Sequence, residues 1–198
     1  MEKIRTVFER DWEGNRGVVD KYVDPPEGFT SVYDTHNILA RCIATEKVDG
    51  TNVRLTIRNG ILVRLEKRRN ATEVQKKLGI KEPWYVDADE YGPEDKYIWE
   101  AARNTDLKDI PDNDWSGEAV GPKIQGNPLN LSEHKVVLFS LSSVRNSISL
   151  LGAPLTFGAL KQWLPLQKSQ VGIDCGIEGI VWWYGNNPVF KIKCKDFK

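Results

Sequence analysis

The chain has 198 residues, 40% of them hydrophobic, and its 28 Lys and Arg balance 28 Asp and Glu. That is enough for one domain with a core and short for two. A neutral chain is no bulk polycation, so any nucleic-acid site must be a local patch. The N-terminal MEKIRTVFERDWEG holds no apolar run, and no stretch approaches a membrane span, so neither a signal peptide nor membrane insertion is expected. Three scattered cysteines (Cys42, Cys175, Cys194) lack CxxC spacing, which excludes a disulfide framework and a zinc knuckle and makes the cytoplasm the expected compartment.

In chain order, Arg41–Glu46 reads as a short strand and Asn52–Arg58 alternates apolar with polar residues. Asn59-Gly60 is a two-residue hairpin turn, with Ile61–Glu66 as the return strand. Basic residues then cluster: Arg64, Lys67, Arg68, Arg69, Lys76, Lys77 and Lys81. Residues 82–114 are acidic and turn-rich, and no role for them is derived. His134–Leu141 reads as a buried strand, and Phe157–Leu164 as a helix capped by Thr156. A closing hairpin runs from Ile177 to Cys194. With the turn at Asn186-Asn187 or Gly185–Pro188, Glu178, Ile180, Trp182, Lys191 and Lys193 share one face. Val181, Trp183, Phe190 and Ile192 form the core face, and Trp182 is expected to line a site. Many antiparallel strands with few helices predict an α+β fold, a single domain over 1–198.

Three stretches carry chemistry. Lys47 lies in TEKVDGTN, between two strand candidates, with Asp49, Gly50 and Asn52 behind it. On the closing hairpin, Lys191 and Lys193 supply positive field for a phosphate, and Glu178 supplies oxygen for a hard cation. Glu118 lies in GEAVGPKIQGN, where glycines let a ligand approach the backbone and Gln125 and Asn127 add amide donors. His36 and His134 show no metal-type spacing and read as structural.

In order, KxDG, the Arg-rich segment, GE, the strand ending in Phe139, EGIV and KxK resemble the covalent nucleotidyltransferases. KIRTVFERD, GPKIQGNP and EGIVWW…FKIKCKDF are most similar to the minimal RNA ligase 1 family. The resemblance implies a twisted-sheet nucleotidyltransferase (ATP-grasp-like adenylation) domain. Its reaction is ATP-dependent joining of RNA 5′-phosphate and 3′-hydroxyl ends through lysyl-AMP and RNA-adenylate, with Mg²⁺ or Mn²⁺. By the same resemblance Lys47 is the nucleophile, Glu178 belongs to the metal and its water shell, and Lys191 and Lys193 contact the α-phosphate. Glu118 takes the ribose hydroxyls, Phe139 stacks on adenine, Glu46 lies beside the adenine amine, and Asn52 orients the adenylate. The family arginine falls on Arg69, with Arg68 as second choice. A lysine amine with pKa near ~10.4 must be neutralised by nearby positive charge or desolvation before it attacks.

This chain has Ser140 where many relatives are acidic. It ends five residues after Lys193, so an enzyme without an OB-fold domain is expected, acting as a monomer. Basic residues of 61–81 are then expected to align the pyrophosphate. The alternatives are a DNA ligase, a GTP-dependent capping-type enzyme, or a catalytically inactive nucleotide- or RNA-binding module.

Overall fold

The computed structural model describes residues 3–29, 34–80 and 82–198; Lys81 of the basic segment lies outside them. The strands are β1 (Arg5–Thr6), β2 (Phe8–Arg10), β3 (Val18–Tyr22), β4 (Ile43–Glu46), β5 (Thr51–Arg58), β6 (Ile61–Arg69), β7 (Trp84–Asp87), β8 (Asn113–Val120), β9 (Lys135–Val137), β10 (Gly179–Tyr184) and β11 (Asn187–Lys193). The helices are α1 (Thr35–Leu39), α2 (Glu73–Lys77), α3 (Lys96–Arg103), α4 (Ser142–Ser147) and α5 (Phe157–Trp163). The architecture is α+β with mainly antiparallel sheets. The chain packs as two compact units: an inserted unit built on Asp49–Arg145, and a terminal unit built on Ile4–Val48 and Asn146–Lys198.

The inserted unit is a five-stranded antiparallel sheet in the order β7-β6-β5-β8-β9. Period-two alternation in β5 explains its two faces: Val53, Leu55 and Ile57 are fully buried, and Asn52, Arg54 and Thr56 lie opposite. The turn is Asn59-Gly60 as read, both residues at positive φ (52° and 70°). Ile98, Ala101 and Ala102 of α3 pack into this unit's core. The acidic segment therefore has structural work after all. It supplies the edge strand β7 and helix α3, and Asp95 binds the buried Lys67 while accepting from the Asp89 amide at 2.9 Å. The strand expected over His134–Leu141 stops at Val137. Beyond it the Ser140 amide and hydroxyl both donate to the Ser116 carbonyl (3.2 and 2.7 Å), and Leu141 N bonds back to Leu138 O at 2.8 Å, so the chain turns.

The terminal unit holds a four-stranded sheet, β1-β11-β10-β4, in which β1 runs parallel to β11, and a two-stranded ribbon of β2 and β3. Its core gathers Phe8, Ile38, Leu39, Leu160, Leu164, Ile180, Trp182, Phe190 and Ile192. Helix α5 starts after Thr156 as expected, although that side chain makes no capping bond.

The closing hairpin differs from its expected register by one residue. Its turn is Gly185-Asn186, with Tyr184 opposite Asn187, and a bulge at Trp182/Trp183 resets the pairing to Val181 with Lys191 and Gly179 with Lys193. One residue of slip exchanges the faces. Ile180 and Trp182 lie at 0% exposure in the core, so Trp182 lines no site, and Val181 and Trp183 join the lysine face. No helix among the described residues is long and apolar enough to cross a membrane.

Candidate functional site

The terminal unit brings Lys47, Glu178 and Lys193 into contact. The first link is the ladder: β10 pairs with β4 on one side and β11 on the other, and Lys47 N extends it by donating to Gly179 O at 2.8 Å. Gly179, opposite Lys193, therefore stands between the two lysines. It has to be glycine, because a Cβ there would lie 2.0 Å from the Ile192 carbonyl oxygen. Lys47 Nζ donates to Glu178 Oε2 at 2.5 Å, and Lys193 Nζ donates to Glu178 Oε1. The three side chains are 19%, 22% and 11% exposed, in the order Lys47, Lys193, Glu178. Burial on its own pushes the Glu178 carboxyl up, but the charges of and hydrogen bonds from Lys47 and Lys193 outweigh it and hold the group below the usual carboxylate range. Lys191 lies two residues before Lys193 on the same strand face.

Sequence reasoning missed the clamp behind Lys193. Asp196 is buried; its Oδ1 accepts from Arg10 Nη2 at 2.5 Å and its Oδ2 from Lys193 N at 2.9 Å. This joins FERD near the start to KCKD near the end, two strings already marked by their family resemblance.

Glu46 lies on the other face of the sheet, opposite Ile180. It is 2% exposed; Oε1 accepts from Ser169 Oγ (2.5 Å) and Oε2 from Gln170 N (2.7 Å), which anchors the loop leading to Glu178.

A second cluster occupies the polar face of the inserted unit's sheet. Asn52 pairs directly with Glu118, and its Nδ2 donates to Glu118 Oε2 (3.3 Å) and Gly117 O (3.2 Å). Tyr85 Oη donates to Asn52 Oδ1 at 2.7 Å. Arg54 forks onto Glu66 (2.6 and 2.8 Å), and its guanidinium carbon lies 4.4 Å from the centroid of the Tyr85 ring. Burial raises the Tyr85 phenol, only partly offset by the Ser116 hydroxyl and the charges of Arg68 and Arg54.

Arg68, opposite Tyr85, shares this face, whereas Arg69 pairs with Trp84 and alternates to the other side. By register, Arg68, the second choice, lies on the Asn52–Glu118 face, and Arg69, the first, does not. Phe139 is half-buried and follows Val137, which pairs with Glu118. Gly50 has its own constraint, since a Cβ would meet Ala119 O at 2.3 Å. The Asn127 amide braces its loop, with Nδ2 donating to Leu131 O and Oδ1 accepting from Leu131 N (both 3.0 Å). His134 is structural as expected: Nδ1 lies 3.0 Å from Glu100 and Nε2 accepts from Lys123 N at 3.1 Å.

Among the described residues no three His, Cys, Asp or Glu side chains come together as a metal cage. Both oxygens of Glu178 accept from ammonium groups, so a cation there would have to share this carboxylate with Lys47 and Lys193.

No protein-family model matches the chain, and no curated protein matches it. Among solved structures it is similar to an RNA ligase of Naegleria gruberi, an apo mutant form, with 15% identity over 98% of this chain and a TM-score of 0.39. The chain spans 60% of the length of that structure.

Proposed function

We propose that this chain is an ATP-dependent RNA ligase that charges itself with AMP on Lys47 and passes the AMP to an RNA 5′-phosphate for sealing to a 3′-hydroxyl. The observation that carries the reading is the Lys47–Glu178–Lys193 cluster, in which an amine of the KxDG motif meets the carboxylate of EGIV and a lysine of KxK.

In the first step the Lys47 ammonium gives up one proton to water, and the freed nitrogen pair bonds to the α-phosphorus as the bond to pyrophosphate breaks. A second N–H proton then leaves to water or to the departing pyrophosphate, giving the phosphoramidate. Glu178, held below the usual carboxylate range, is a poor proton acceptor at neutral pH. Its role is to aim Lys47 and to fix Lys193 beside it. Lys193 and Lys191 then bring positive charge to the oxygens on which negative charge develops. Glu178 would hold Mg²⁺ or Mn²⁺ through an oxygen shared with Lys47 or Lys193, and the ion would add charge stabilisation at the phosphate. On the inserted unit, Asn52, Arg68, Glu118 and Phe139 are assigned to the nucleotide. RNA with 5′-phosphate and 3′-hydroxyl ends is the substrate class.

The test incubates pure protein with α-labelled ATP or GTP and magnesium, then denatures it. Label from ATP that survives denaturation and vanishes in Lys47→Ala is the expected result. Label from GTP alone supports a capping-type enzyme, and no label from either supports a binding module. Sealing of 5′-phosphorylated RNA against DNA of the same sequence then separates RNA from DNA ligation.

A further inference from the structure

We infer that Tyr85 is a positioning residue, whose phenol holds the Asn52 side chain in the one orientation that ties it to Glu118. The inference rests on the ligase reading above and adds to it a residue from the acidic segment that no motif singled out. Strand β7 brings Tyr85 to the sheet edge opposite Arg68, on the face that carries Asn52, Arg54 and Glu118.

Donors and acceptors alternate along the row without a gap. The phenol donates to Asn52 Oδ1, and Asn52 Nδ2 donates to a Glu118 carboxylate oxygen and to Gly117 O. Asn52 is only 6% exposed, so each of its polar atoms depends on a protein partner. The phenol is the hydrogen-bond partner of Oδ1. Without it a buried carbonyl is left unsatisfied, and the amide can recover a bond only by turning, which takes Nδ2 away from Glu118. The phenol is itself held: the Arg54 guanidinium lies over its ring and is locked by both oxygens of Glu66, 2% exposed. Burial raises the phenol above its ordinary value, so it remains a donor through the neutral range.

A residue that acts only through another leaves a specific signature in a double-mutant cycle. The experiment compares Tyr85→Phe, Asn52→Ala and the double variant in single-turnover formation of lysyl-AMP from ATP. Phenylalanine keeps the ring under Arg54 and removes only the hydroxyl. Tyr85→Phe is expected to slow the reaction about fivefold, the equivalent of one net hydrogen bond, and to have no further effect once Asn52 is alanine. A rate within twofold of wild type, or the same slowing in both backgrounds, overturns the inference.

The side-chain amide resonances of Asn52 give a readout that needs no turnover. In Tyr85→Phe their hydrogen exchange should accelerate about tenfold or more, and unchanged exchange overturns the inference. Wild-type protein that forms no lysyl-AMP refutes the ligase reading alone, and the resonances then decide the role of Tyr85.

Discussion

Removing the Asp196 carboxylate should loosen the end of β11. The carboxylate ties two parts of the terminal unit: Arg10 Nη2 at 2.5 Å and the Lys193 amide at 2.9 Å. Its side chain is 7% exposed and that of Arg10 is 24%, so water screens the pair only in part. In Asp196→Ala, loss of a hydrogen bond to a charged group costs about 1.5–3 kcal/mol and loss of the backbone bond about 1 kcal/mol. The sum, ~3 kcal/mol, sits at the low end of the range for breaking a buried pair, as the partial exposure of Arg10 requires. Asp196→Asn keeps the shape and one acceptor, and should lose about half as much. Because the chain has two units, a single melting curve is a poor measure. The assay is hydrogen exchange of β11 amides, with urea unfolding as a second measure. The cycle with Arg10→Met should return a coupling of about 1.5 kcal/mol. A stability change below about 0.5 kcal/mol for Asp196→Ala, or strict additivity with Arg10→Met, would refute the clamp.

Four further outcomes follow from the geometry. Lys193→Ala should slow lysyl-AMP formation more than tenfold in single-turnover assays while circular dichroism stays unchanged; wild-type charging would separate Lys193 from the chemistry. Gly179→Ala puts a Cβ 2.0 Å from the Ile192 carbonyl and should destabilise by roughly 1–3 kcal/mol in urea, whereas Gly158→Ala, in helix α5 with open space around it, should be neutral or stabilising by up to about 1 kcal/mol. The Glu178 carboxyl titrates below its unfolded value of about 4.5. Its contribution is therefore present above that pH and lost as pH falls through the folded value, so Glu178→Gln should flatten stability against pH in the acid range, and parallel wild-type and variant curves would count against it. Burial pushes the Cys42 thiol up to about 12 from 9.0, so iodoacetamide at pH 8 should alkylate it about a thousandfold more slowly than a free thiol by mass-spectrometric peptide kinetics.

Local signals read true where one face of an element is polar. Strand β5 alternates Val53, Leu55 and Ile57 with Asn52, Arg54 and Thr56. The Asn59-Gly60 turn fixes the first pairs with β6, Arg58 with Ile61 and Ile57 with Leu62, before a bulge at Thr56/Ile57 shifts the rest by one. The closing hairpin offers no such contrast. Ile180, Val181, Trp182 and Trp183 are all apolar, so alternation cannot say which pair faces the core. There the register is set by Gly185, at φ 58°, and by the bulge at Trp182/Trp183, neither of which leaves a pattern in composition. The split into two units is hidden for a related reason. Its boundaries fall at Val48/Asp49, just after a strand, and at Arg145/Asn146, inside α4, with no linker-like composition at either. Arg10–Asp196 and Tyr85–Asn52 are equally silent in sequence, since each pair meets only after strands that are distant in the chain have paired.

The candidate site shows what a list of residue types lacks. Motifs single out Lys47, Glu178 and Lys193, and Glu178 bridges the two amines, but the residue that leaves them room to converge has no side chain. Neighbouring strands lie about 4.7–4.9 Å apart, so Lys47 and Lys193, on either side of β10, start roughly 10 Å from one another. Their amines still converge on the two oxygens of one carboxylate. Gly179 stands between them in the ladder and has no atoms to put in the way. A side chain there would stand between the two lysines, and its Cβ would press on the Ile192 carbonyl. The glycine after Glu178 is thus as much a condition of the cluster as the charges are, and shortening either lysine is a milder change to the geometry than filling the space between them.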